Sequence, residues 1–250
     1  MSATIPFPAS SRRAWLIAMA CGPLAAGAAQ ALTTGSGRVL QETRPLADIV
    51  AIAVAGPFEV AVRQAARPAL SLSGDDNLLP LVETVVEAGR RGPTLHIRLQ
   101  RGASVSTRLP IRVTVDVVKL EALSLAGSGQ ARVDGLQSPS LALSVAGSAE
   151  ARLDRLGVDR LDVGIAGSGH VHATGKAGQL KLSISGSGDA DLEELVADEV
   201  SVSVAGSGDA DITAQQSLSV SVAGSGDVTY GGAVGSIRQS VAGSGKVRRR

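Results

Sequence analysis

From Leu123 onward, apolar and polar residues alternate in short runs. The first runs are Leu123, Leu125; then Leu141, Leu143, Val145; then Leu161, Val163, Ile165. Leu180, Leu182, Ile184; Val200, Val202, Val204; and Leu218, Val220, Val222 continue the series. Alternation with period two marks strands buried on one face. Every run breaks at four small residues. AGSG stands at 126–129, 166–169, 205–208, 223–226 and 242–245, with the near copies AGSA at 146–149 and SGSG at 185–188. Successive copies are 20, 20, 19, 20, 18 and 19 residues apart.

The alternation passes through the glycines without changing phase. Counting by twos from Leu123 gives Leu125, Gly127, Gly129, Ala131 and Val133, so both glycines take inward positions and the serine between them points out. The chain is expected to bend there, where two inward side chains would collide; glycine removes the Cβ and tolerates the dihedrals of a bend. The structural corners are therefore Gly127 and Gly129, Gly147, Gly167 and Gly169, and Gly186 and Gly188. Gly206 and Gly208, Gly224 and Gly226, and Gly243 and Gly245 complete the set.

A fixed period near 20 residues is the mark of a solenoid, whose coils bury a continuous core only by stacking. The chain is expected to be all-β: a single-domain β-solenoid of roughly 20-residue coils with Gly-Ser-Gly corners. Residues 123–250 form the regular coils, continuous with an irregular β segment and first coil over 32–122. In that segment Val50, Ile52, Val54, Gly56, Phe58, Val60 and Val62 keep the inward phase and read as a degenerate first coil. Further strands are expected at Leu70–Ser73, Val82–Glu87, Thr94–Leu99 and Ile111–Val117, with a turn at Gly89–Pro93. Phe58 and Tyr230 sit at inward positions near opposite ends and are expected to plug them. The aromatic content of 2% suits a thin aliphatic core.

Composition changes the picture mainly at the ends. Arg12-Arg13 followed by the apolar run Ala14–Ala29 and by Ala29-Gln30-Ala31 has the layout of an export signal over residues 1–31, resembling a twin-arginine signal. Cys21, the only cysteine, falls inside it; a lipid anchor at Cys21 is the alternative, and cleavage after Ala31 leaves a chain without disulfides. Residues 1–31 hold two of the 24 basic residues and none of the 23 acidic ones, so the remainder carries 22 against 23. A near-neutral chain with a short basic tail has no nucleic-acid footprint. After the signal no apolar run is long enough to span a membrane. The periplasm or cell surface of a bacterium is the expected location.

Three motifs occur in order ahead of the coils: Ala55-Gly56-Pro57-Phe58-Glu59-Val60, Asp76-Asn77-Leu78-Leu79-Pro80 and Leu95-His96-Ile97. With the AGSG coils they resemble the head GIN domain family of auto-transporter adhesin heads, over roughly residues 35–247. The resemblance implies an exported β-helix-like domain and supplies no catalytic residues. Autotransporters carry a C-terminal membrane barrel, whereas this sequence reaches Arg250 inside its last coil, so display by another route is expected.

Outward residues stack about 4.8 Å apart from coil to coil. After each corner the first outward column reads Gln130, Glu150, His170, Asp189, Asp209, Asp227, Lys246, and the second Arg132, Arg152, His172, Asp191, Asp211, Thr229, Arg248. Asp189, Asp191, Asp209, Asp211 and Asp227 thus share one patch, either a solvated acidic face or a site for Ca²⁺, which takes several carboxylate oxygens. His170 and His172, beside Glu150 and Asp189, form a weaker candidate pair for zinc. No phosphate loop or nucleophile elbow is present, and the repeated corner serines suit a structural ladder better than a nucleophile. The expected function is a non-enzymatic, adhesin-like binding or structural module of the cell envelope, with a glycan or an envelope protein as partner and edge-mediated self-association of the last coil. The alternatives are a calcium-stabilised envelope protein and a β-helix enzyme acting on polysaccharide, with Arg152 or Lys246 as base.

Overall fold

The computed structural model describes residues 32–250; the export signal and Cys21 lie outside the described residues. The chain is a β-solenoid, almost entirely strand, with one turn of 3₁₀ helix at Leu79–Leu81. Its coils pair in parallel. Long strands such as Glu150–Gly167, His170–Gly186 and Asp189–Gly206 each make most of one coil. Register breaks near Leu153/Leu156, His172/Gly175 and Leu192/Val196 mark one bend of the coil, and the Gly-Ser-Gly corner marks another.

Parallel pairing in constant register turns each inward position into an axial column. Leu95, Ile52, Leu123, Leu143, Val163, Leu182, Val202 and Val220 stack as one such column. Val113, Val60, Ala131, Ala151, Val171, Ala190, Ala210 and Val228 stack as another across the corner. All of these side chains are buried. Among the described residues, Asp75 and Ser138 are the only buried polar side chains.

The spatial order of the first coils differs from their order along the chain. Ala51–Ala55 pairs in parallel with Gly92–Leu99 on one side and Ala122–Gly127 on the other. Phe58–Gln64 likewise lies between Ile111–Val117 and Gln130–Asp134. The coil expected to come first is therefore second in space, and the coil made later in the chain is laid outside it. Phe58 is consequently interior, 1% exposed, and plugs no end. The outer coil is finished by antiparallel strands: Val82–Gly89 on Gly92–Leu99, and Ala69–Asp75 on Ile111–Val117, with Val39–Arg44 on Ala69–Asp75 in turn. Arg44 fastens this end by donating to Val82 O at 2.6 Å and Leu79 O at 3.0 Å. At the other end Tyr230 is half-buried, packed on the core between Ile212 and Arg249.

The corner glycines meet a constraint directed along the axis as well as across the core. The first glycine of each corner has φ between 90° and 138°, a region that L side chains rarely enter. The corners also stack closely. A Cβ on Gly167 would come within 2.6 Å of Gly147 O, and one on Gly169 within 2.8 Å of Ala149 O. What forbids the methyl is the backbone carbonyl of the coil before. The first glycines are the more exposed, and the second are buried except Gly245 in the last coil, which is half-buried. Ala149, buried in the second position of its own corner, is accommodated, so the first position is the stricter one. Gly167→Ala combines a positive φ (114°) with that contact. It is expected to cost about 1–3 kcal/mol, read as a lowered midpoint in urea unfolding, whereas Ala149→Gly should cost under about 1 kcal/mol.

Candidate functional site

Two outward surfaces carry the polar chemistry. On the side that follows the Gly-Ser-Gly corners, pairing brings Gln130, Glu150, His170 and Asp189 into one row and Arg132, Arg152, His172, Asp191 and Asp211 into the next. The charge is zoned along the axis. Arg132 and Arg152 both pair with Asp154, at 2.8 and 3.1 Å, the histidines come next, the aspartates follow, and Lys246 and Arg248 close the row, Arg248 on Asp227 at 3.0 Å.

The five aspartates do not converge. Among the described residues no three His, Cys, Asp or Glu side chains are grouped to hold a metal ion. Three of them bond the backbone of the next coil instead. Asp189 Oδ1 accepts the N–H of Asp209 at 3.2 Å, Asp209 Oδ1 that of Asp227 at 2.8 Å, and Asp227 Oδ1 that of Lys246 at 2.8 Å. In the earlier coils the equivalent N–H groups of Glu150 and His170 bond the main-chain oxygens of Gly129 and Ala149, at 3.0 Å each. An aspartate at this position therefore stands in for a carbonyl at the corner, and like charges follow one another because each carboxylate is needed by the coil after it. Asp191 and Asp211 are adjacent in register. Asp191 is taken up by His172, whose Nδ1 lies 2.8 Å from Asp191 Oδ2. That hydrogen bond is the main cause holding the Asp191 carboxyl below its usual range, against a smaller opposing effect of desolvation. His170 is exposed on the neighbouring row. His96 lies 3.9 Å from Glu87 on the hairpin at the first end.

The second surface is one the reading of the corners missed. On the stretch of strand that leads into each Gly-Ser-Gly corner, two outward columns flank the buried Leu180, Val200 and Leu218. One column is Arg160, Gln179, Glu199, Ser217, Ser236, and the other Asp162, Lys181, Ser201, Ser219, Arg238. Between them runs a trough of ≈ 630 Å³ along the solenoid axis. At one end Arg160 donates to Gln179 Oε1 at 3.0 Å, and Gln179 passes its own amide N–H to Glu199 at 3.1 Å. Toward the last coil the polar lining is Ser217, Ser219 and Ser236, beside Leu218, and Arg238 stands at the far end. The signal was present in the sequence: the polar and charged residues from Arg160 to Glu199 give way to serine at the same two positions in the later coils.

No helix of the described residues is long and apolar enough to cross a membrane. The family model described as "Putative auto-transporter adhesin, head GIN domain" matches residues 50–233. Among solved structures, the chain is similar to a putative adhesin from Bacteroides fragilis, with 22% identity and a TM-score of 0.80, covering 87% of this chain and 99% of that one. It is also similar to a protein from Parabacteroides distasonis described as a putative lipid binding protein, with 23% identity, a TM-score of 0.71 and coverage of 88% and 100%. A putative adhesin from Parabacteroides merdae gives 21% identity, a TM-score of 0.66 and coverage of 87% and 98%. At these identities the likeness is one of fold. No curated protein matches.

Two outcomes follow from the aspartate ladder and the His172–Asp191 pair. Asp209→Ala is expected to lower stability by about 1 kcal/mol through loss of the acceptor for the Asp227 N–H, while Asp209→Asn, which keeps an acceptor, stays within about 0.5 kcal/mol of the parent; urea unfolding with and without added Ca²⁺ checks both. A carboxyl whose folded pKa is depressed contributes stability that is full above its unfolded pKa, about 3.9, and is lost as pH falls through the lower folded value. His172→Ala should therefore flatten the acid limb of stability below about pH 4, measured as unfolding midpoints across a pH series.

Proposed function

The chain belongs to the head GIN domain family of putative auto-transporter adhesins, and from that premise we propose that it is an exported, non-enzymatic binding module of the bacterial cell envelope. The family match across residues 50–233 carries this reading. The architecture supports it. Parallel pairing of coil on coil leaves a stiff body whose sides present polar groups in fixed rows, an arrangement suited to holding an extended partner by many weak contacts. The acidic row on the corner side is occupied by hydrogen bonds of the scaffold, so its carboxylates serve stability before any partner. The export signal expected over residues 1–31 agrees with an envelope location.

Protease shaving of intact cells, beside periplasmic and membrane fractions and with an antibody to the chain, tests the reading. Loss of the protein from intact cells is the expected result. A soluble pool that stays protected until the outer layer is opened would overturn the adhesin-like role and leave an internal envelope role. Turnover of a polysaccharide by the purified chain would overturn the non-enzymatic reading.

A further inference from the structure

Arg160, Lys181 and Arg238 line one trough, and none of the three forms an ion pair within 4.0 Å among the described residues. Elsewhere on the surface arginines are mostly engaged, as Arg63 is with Asp116 at 2.8 Å and Arg112 with Glu59 at 2.9 Å. The floor of the trough sets hydroxyls beside these cations. Ser201, Ser217, Ser219 and Ser236 bring four hydroxyls into neighbouring positions of two columns. The rows are about 4.8 Å apart along the axis and the columns about 6.7 Å apart across it, the spacings of strands and of alternate residues. Such a lattice of hydroxyls, with Lys181 and Glu199 on one side and Arg238 on the other, offers donors and acceptors in turn to a polyol. The volume of ≈ 630 Å³ is within the range of small-molecule sites.

We infer that this trough binds a linear acidic oligosaccharide lying along the solenoid axis, an assignment that rests on the chain being a binding module. The charges give the ligand a direction. Glu199 and Asp162 stand at the end of Arg160 and Lys181, so that end accepts hydrogen bonds from sugar hydroxyls while its cations are partly offset. Arg238, beyond the serines, faces no carboxylate in the trough lining and takes the carboxylate of the ligand; a guanidinium–carboxylate bond is charge-assisted and directional. Stacking on aromatic rings contributes nothing here: the lining contains no aromatic residue. Recognition rests on the polar side chains, and a charge on the ligand adds a charge-assisted bond that offsets the cost of immobilisation.

Fluorescence polarisation with labelled cellotetraose whose terminal sugar is oxidised to glucuronic acid, and with cellotetraose as the neutral counterpart, tests this on the purified chain. The acidic probe is expected to bind and the neutral one to bind at least about tenfold more weakly, the size of one charge-assisted bond. Arg238→Ala should weaken the acidic probe by about tenfold, and Ser219→Gln, which fills the floor, should abolish binding, with urea midpoints showing that both variants fold. Asp211→Asn, on the other surface, should bind like the parent. Equal binding of the two probes, binding unchanged in both trough variants, or no binding of the acidic probe at millimolar concentration would each overturn the assignment. Protease shaving of cells does not depend on the trough, so a failed trough and a failed envelope role give separate results.

Discussion

Parallel pairing of one coil on the next governs this molecule, because it fixes in one step the height, the register and the facing of every residue in the coil. Once Leu143 sits on Leu123, Val145 must sit on Leu125 and Gly147 on Gly127, and a one-residue slip would send a whole row of aliphatics into water. The corner is where this requirement is tightest. Successive corners approach so closely that the carbonyl of Gly147 occupies the place where a Cβ on Gly167 would go. The glycines are therefore a consequence of stacking, repeated because the stacking is repeated. Their positive φ values let the chain turn out of one side and into the next without disturbing the row of hydrogen bonds that joins the coils.

Because the constraint acts in columns, much of the fold was legible from spacing alone. A residue such as Val202 could be placed inside by counting from Leu182 and Val163, and the alternation on both sides of each corner gave the inner and outer faces. The strand Ile111–Val117 was legible to the residue, since its alternation is undisturbed. The order of the first coils was not. Nothing in Ile52–Val54 or Leu95–Ile97 says which of two similar apolar rows lies outside the other; that is decided by which row can receive the antiparallel strands Ala69–Asp75 and Val82–Gly89. Phe58 misled for the same reason. Its place near the beginning of the array suggested an end, while in space a later coil covers it.

The candidate sites were legible unevenly, and the cause lies in what a column can reveal. The rows Asp189, Asp209, Asp227 and Asp191, Asp211 were visible as acidic clusters. What each carboxylate does was hidden, because an aspartate that accepts the N–H of the coil above looks in sequence like one that awaits a cation. The identity of the partner atom depends on the local turn of the backbone, which period and phase do not encode. His172 illustrates the opposite case. Its place opposite Asp191 followed from register, and the short contact between them is what two such side chains do when register sets them side by side.

The trough shows how a scaffold of this kind acquires chemistry. Inward positions are held to Val, Leu, Ile and Ala by the width of the core, and corner positions to glycine by the stacking; only the outward columns are free to change from coil to coil. A column that kept one residue type throughout would give a uniform face with no place to begin or end. Here the columns change: Arg160, Gln179 and Glu199 give way to Ser217 and Ser236, and Asp162 and Lys181 to Ser201 and Ser219 before Arg238 restores a long side chain. Long residues in the middle coils, serines after them and Arg238 in the last coil make a depression in a flat side, without a loop or an insertion. The depression in this chain thus lies where its repeats break, between coils that keep their register on either side.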